Sequence, residues 1–322
     1  MTRPLQLVAG FGEPARQLEG LGKTKWVDQA ILNVHDALVD NGVDSAWLPR
    51  ELPRSEALRP HSVEEYGCGS YGCVMPTYQD GLVLKITTDA TEAWFAHIAR
   101  ELARVDGWPR GIVHYRRVLG LSDQTHDGQM LYLLWRDEAR SVGEAHYVAP
   151  DLEQLLEAYM NGADVFSGVL PRGGNESRLA ALQIAQKPAV IEAARTYLLS
   201  KTDAGWPLGA VADAANKELS TEDTPTVVAV AILCTYLIAE RIEQLAGCQA
   251  LGGAIRYYLD KGILLGDLHR GNVGVAYDDP KRVVIVDPGL VSPLTAELYR
   301  RGIPRRAILR SQARALPGRT RS

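Results

Sequence analysis

Cysteine is scarce in this chain of 322 residues, which has only Cys68, Cys73, Cys234 and Cys248. None forms a Cys-x-x-Cys pair or the Cys/His spacing of a zinc site, so neither a disulfide scaffold nor a structural zinc centre is expected. A reducing, cytoplasmic compartment fits best. An excess of one charge is also missing: the formal net charge is −4, which gives no general pull toward nucleic acid or an anionic membrane. The longest apolar run, residues 227–239, contains Thr235 and is closed by Glu240. It falls short of the roughly 20 residues that cross a bilayer and reads as a buried helix, with no membrane partner expected. Residues 1–17 hold no long apolar core behind their charges, so no secretion signal is expected there. Neither a repeat nor a low-complexity tract is visible.

What is present is an ordinary globular composition, 46% hydrophobic, on a chain long enough for two domains or lobes. The richest stretch is LLGDLHRGNVGVAYDDPKRVVIVDPG, residues 264–289. Asp267 and Asn272 stand five apart on a Gly-containing loop. Two apolar runs, 273–276 and 283–286, flank the polar turn 277–281 and read as a hairpin that returns Asp287 beside that loop. Two carboxylates and an amide at one point suit phosphoryl transfer. One carboxylate can orient a hydroxyl while few protein oxygens, shared with phosphate oxygens, hold Mg²⁺. Asp267 is the candidate base, and Asn272 and Asp287 are the candidate metal ligands.

Upstream, residues 64–86 (EEYGCGSYGCVMPTYQDGLVLKI) read as strand, loop, strand, turn and strand. Gly67, Gly69 and Gly72 with Val74 match G-x-G-x-x-G-x-V, and Ser70 lies within that loop. Such glycines let backbone amides approach phosphate. The other bearer of this pattern, a dinucleotide-binding loop, opens a helix, whereas strand residues follow here. In 82–86, strand alternation puts Val83 and Lys85 on one face and Leu82, Leu84 and Ile86 on the other.

Taken in order, these motifs resemble the protein-kinase-like superfamily, in which the catalytic loop runs Asp-x-x-x-x-Asn and a later Asp-x-Gly carries a metal ligand. The resemblance covers somewhat over a third of the chain. It implies an α+β, bilobal fold, with a small antiparallel sheet lobe of about five strands and a larger helical lobe. It also implies ATP and Mg²⁺ as cofactors, with Lys85 gripping phosphates. A glutamate of the helix at 91–105 would pair with that lysine. The run Lys-x-Thr-x-Asp-x-x-Glu-Ala, similar to bacterial and phage kinase-like sequences, favours Glu92, while the sixteen-residue spacing of ordinary protein kinases points to Glu101. Residues 136–138 fall where the hinge between lobes would be.

The chain departs from ordinary kinases at several places. Leu265 stands where His-Arg-Asp has its His, and Pro288 replaces the Phe of Asp-Phe-Gly. Asp-Leu-His-x-Gly-Asn is closer to aminoglycoside-type phosphotransferases and atypical kinases. His269 in that loop could stabilise developing phosphate charge or simply hydrogen-bond within the loop. The expected organisation is a helical extension over 1–60, a nucleotide-binding sheet lobe over 61–138 and a helical insertion over 139–249 that forms the acceptor lobe. The catalytic and metal loops then occupy 250–295 and a basic tail 296–322. Helices are expected at 151–160, at 177–199 with a break at Pro188, and at 208–219, 226–245 and 250–261. The tail carries eight arginines from Arg300 onward and no acid after Glu297, leaving contact with an acidic partner or nucleic acid open there alone. The expected activity is transfer of the ATP γ-phosphate to a hydroxyl, first of protein Ser/Thr. A small-molecule kinase and a nucleotide-binding pseudokinase scaffold are the alternatives.

Overall fold

A computed structural model describes residues 72–77, 79–87, 89–126, 129–142, 150–169, 174–202, 224–295 and 298. The expected N-terminal helix, the helix at 208–219, Gly67, Gly69, Ser70, Cys68 and the arginine-rich tail lie outside them. The chain is mixed α and β, with a small antiparallel sheet and several helices. The described residues divide into two compact units, one of 72–108 and 114–138, the other of 109–113 and 139–298. The expected segments 139–249 and 250–295 therefore belong to one unit. Apolar contact between their helices is what joins them.

In the first unit, β1 (Gly72–Pro76), β2 (Leu82–Thr87), β3 (Tyr115–His126) and β4 (Gln129–Asp137) form an antiparallel sheet in the order β1-β2-β4-β3. That is four strands among the described residues where about five were expected. β3 begins only at Tyr115; Ile112 instead bridges to Ile285 in the second unit. The polar segment 122–129, which the sequence suggests is a turn between strand-like runs at 112–119 and 130–135, is largely strand, with β3 running to His126 and β4 starting at Gln129. Gly72 belongs to β1, opposite Thr87. A Cβ there would sit 2.9 Å from Thr87 Cα, so backbone packing alone already requires a glycine at this position. All six residues of β2 are buried, which places Lys85 between covered faces rather than on a solvent face. Helix α1 (Ala90–Asp106) follows. Its N-cap, Asp89, accepts from Thr91 N–H and from the Thr91 hydroxyl at 2.7 Å each, and Gly107 stops it with a positive φ.

The second unit is built on α2 (Leu152–Val169), α3 (Gly174–Ala185), α4 (Pro188–Thr202), α5 (Thr224–Gln244) and α6 (Gln249–Asp260). Pro188 is the first residue of α4, where its missing N–H has no intrahelical partner to lose. α5 packs on α2, α3, α4 and α6 and buries Val227, Val228, Val230, Ala231, Cys234, Ile238 and Ile242. It starts two residues before the expected 226 and ends one before 245, and by length and composition it could cross a bilayer. Its contacts are those of a core helix. It is not covered all round, since Leu237 is 39% exposed and Ile232 is half-buried.

After α6 the chain makes β6 (Ile263–Leu264), a 3-10 turn (Arg270–Asn272), β7 (Val273–Ala276), β8 (Asp279–Ile285) and β9 (Ser292–Pro293). β7 and β8 are the expected hairpin, with Val273 opposite Ile285 and Val275 opposite Val283. Its turn is tighter than expected, because β8 already starts at Asp279. β5 (Ala139–Ser141) adds a third strand along β7, and β6 pairs with β9.

Candidate functional site

Each unit gathers part of the expected constellation. In the first, Val74 faces Lys85 across the β1–β2 ladder and Leu134 faces it from β4. The Lys85 ammonium lies 2.7 Å from Glu92 Oε2, with the two side chains 6% and 1% exposed. Glu101 does not share in this pair; it meets Arg104 at 2.8 Å on the surface. The Asp89 cap explains the choice, because it starts α1 two residues after β2 ends and so turns the first helical turn back over Lys85. The other Glu92 oxygen, Oε1, accepts from the Tyr115 hydroxyl at 3.1 Å. At the end of β4, the Asp137 amide donates to His114 O and the Glu138 amide to Gly81 O. Two of the three amides expected at a hinge, those of Asp137 and Glu138, are therefore engaged in the sheet unit's own bonding.

In the second unit, the loop at 267–272 and the end of the hairpin are locked together by Asn272. Its carbonyl accepts from the amides of Val286 at 2.8 Å and Asp287 at 3.2 Å, while its Nδ2 donates to Asp267 O at 2.6 Å. That orientation leaves Oδ1 as the side chain's acceptor. Asp287 Oδ1 accepts from Gly289 N–H. Asp267, Asn272 and Asp287 thus converge. Leu265 and Pro288, two of the departures, are buried, whereas His269 is exposed.

His269 caps the 3-10 turn. Its Nδ1 accepts from Gly271 N–H at 2.9 Å, so in the neutral ring the proton resides on Nε2. Nε2 stands 3.7 Å from Asp267 Oδ1, beyond hydrogen-bond reach but close enough for electrostatic contact.

Helix α2 supplies residues that the sequence reading did not single out. Met160 Sδ accepts from Leu268 N–H at 3.0 Å, and Glu153 meets Arg270 at 3.1 Å. Asp164, an exposed residue, follows Met160 by one turn, and local desolvation, with the Asp267 charge added, raises its pKa. Glu153, Met160 and Asp164 are spaced seven and four apart, one face of a helix. That period was readable; what it faced was not. Tyr115 left no signal, since its target lies 23 residues away on another element.

Among the described residues, no three His, Cys, Asp or Glu side chains form a group that could hold a metal. The Asn272 amide oxygen and the Asp287 carboxylate are hard donors of the kind that share a small cation with phosphate oxygens.

Comparison with family models, curated proteins and solved structures returned no match. The functional reading therefore rests on the residues and their geometry.

Proposed function

We propose that this protein is an ATP- and Mg²⁺-dependent phosphotransferase of bilobal protein-kinase-like fold, moving the γ-phosphate to a hydroxyl, with protein Ser/Thr as the first-choice acceptor. The carrying observation is the buried Lys85–Glu92 pair. Burying two charges costs desolvation that their attraction often fails to repay, so such a pair is a poor stability device. Holding a lysine in place to grip phosphate gives it a purpose.

The convergence of Asp267, Asn272 and Asp287 supports the same reading. Asp267 would orient the acceptor hydroxyl and take its proton. Asn272 Oδ1 and the Asp287 carboxylate would hold Mg²⁺. The bound metal supplies positive charge against the phosphate oxygens. His269 Nε2–H, beside Asp267, is a donor for developing negative charge. The cytoplasm fits the cysteine usage.

The test is incubation with labelled ATP and a host lysate split into protein and metabolite fractions. Label in protein supports the first reading, and label in a metabolite moves the acceptor to a small molecule. ATP binding without transfer favours the scaffold, and no ATP binding removes the proposal. Asp267→Asn should keep ATP binding while lowering kcat by about 10²–10⁴. Mg-ATP at about a hundredfold over Kd should stabilise the wild type by roughly 2.7 kcal/mol, and Asp287→Ala should lose the Mg²⁺-dependent share.

A further inference from the structure

Glu92 and Tyr115 are both fully buried, and their contact ties helix α1 to strand β3. The Tyr115 ring is itself held from two sides. Phe95, one turn after Glu92 on α1, meets it edge-on with centroids 6.0 Å apart and planes at 78°. Trp108, just past the end of α1, lies 6.3 Å from it at 55°. A ring fixed in this way presents its hydroxyl in one direction only, and that direction is Glu92 Oε1.

We infer that Tyr115 is a positioning residue for the nucleotide-gripping lysine: it anchors one oxygen of Glu92 so that the other is presented to Lys85. The argument is geometric. A carboxylate held through a single oxygen can rotate about its last bond and carry a partner ammonium with it. Held through both, by Tyr115 at Oε1 and Lys85 at Oε2, it fixes the ammonium relative to β2. Hydrogen bonds to a charged acceptor are the stronger kind, and a site built for phosphate needs its cation fixed in advance. The inference rests on the phosphotransferase reading for its purpose, although the Tyr115–Glu92–Lys85 relay is testable without nucleotide.

Tyr115→Phe removes only the hydroxyl and keeps the ring packed against Phe95 and Trp108. The first readout is the acylation rate of Lys85 by a water-soluble amine reagent, followed by peptide mapping, in the absence of ATP. Tyr115→Phe should raise that rate severalfold. Val118→Ala, a buried truncation on β3, serves as a control that lowers the melting temperature while keeping the Tyr115 hydroxyl. It should leave Lys85 labelling unchanged. The second readout is Mg-ATP affinity, which Tyr115→Phe should weaken about tenfold, or 1.4 kcal/mol. In a Glu92→Gln background the same substitution should add little, because the relay is already broken. Equal Lys85 labelling in Tyr115→Phe and wild type would overturn the inference. So would a rise matched by Val118→Ala, which would mark a merely structural role. If the wild type binds no ATP but the labelling pattern is as expected, the relay stands and the phosphotransferase reading falls.

Discussion

Gly289 lies against Asp267 with no space for a side chain: a Cβ on Gly289 would come 2.8 Å from Asp267 Oδ2 and closer still to its Cβ, and Gly289 has φ +47°. Gly289→Ala would therefore be strained twice, by conformation and by collision with the candidate base. We expect a stability loss of about 1–3 kcal/mol and a drop in turnover of at least about 10²-fold from displacement of Asp267. Gly266→Ala is not a suitable control, because it too would collide, with Leu290 O. Gly253→Ala on α6 is better, since its Cβ would meet only Glu243 Oε1 at 3.7 Å. Wild-type turnover in Gly289→Ala would separate this glycine from the chemistry.

The two candidate glutamates separate cleanly. Glu92→Ala takes the partner from a buried lysine and should cost about 3–5 kcal/mol of stability along with most of the nucleotide affinity. Glu101→Ala breaks a surface pair with Arg104 and should cost no more than about 0.5 kcal/mol. Chemical denaturation and ATP titration of the two variants provide the check. A reversed ranking would reassign the lysine's partner.

Asp164 predicts a pH signature. Local desolvation, then the neighbouring Asp267 charge, raises its pKa in the folded protein, so the folded chain holds this proton more tightly than the unfolded one. Stability linked to this group is then greatest at low pH and falls as pH rises from the ordinary carboxylate value, about 3.9, through the raised one. Asp164→Asn, which cannot ionise, should gain in melting temperature relative to wild type across that window. A difference independent of pH would show that Asp164 and Asp267 do not interact.

The second unit depends on α5. Val230 is completely buried there, and Val230→Asp should place an unpaired charge in the core and cost several kcal/mol. Ile232, half-buried on the less covered side, should tolerate Asp far better. Thermal melts of the pair test whether the helix has one open side.

The parts of the fold and site legible in the sequence were those governed by local pattern. Two apolar runs about a polar turn foretold the β7–β8 hairpin, and the return of Asp287 beside Asn272 followed from it. The choice between Glu92 and Glu101 was harder, because both flank the apolar stripe of α1. Nine residues of helix separate them by about 13.5 Å, and only the cap at Asp89 fixes which end lies over Lys85. Coverage misled twice. The apolar run 227–239 promised a helix enclosed on all sides, yet Leu237 remains open. The run from Ile112 looked like one strand, yet the chain divides it between the two units. Tyr115 meets its partner across a tertiary contact and carries no local signature, and the helical period that places Asp164 does not say what it faces.

The double acceptance by the Asn272 carbonyl has a consequence for anyone dissecting this site by mutation. The amides of Val286 and Asp287 both close on that one oxygen, and the Asn272 side chain holds the Asp267 backbone. The candidate base and the candidate metal ligand are thus mounted on a single bracket. Their contributions will not add: Asn272→Ala keeps the carbonyl that holds Asp287 but releases the Asp267 backbone, so a further change at Asp267 should cost much less than it does in the intact protein.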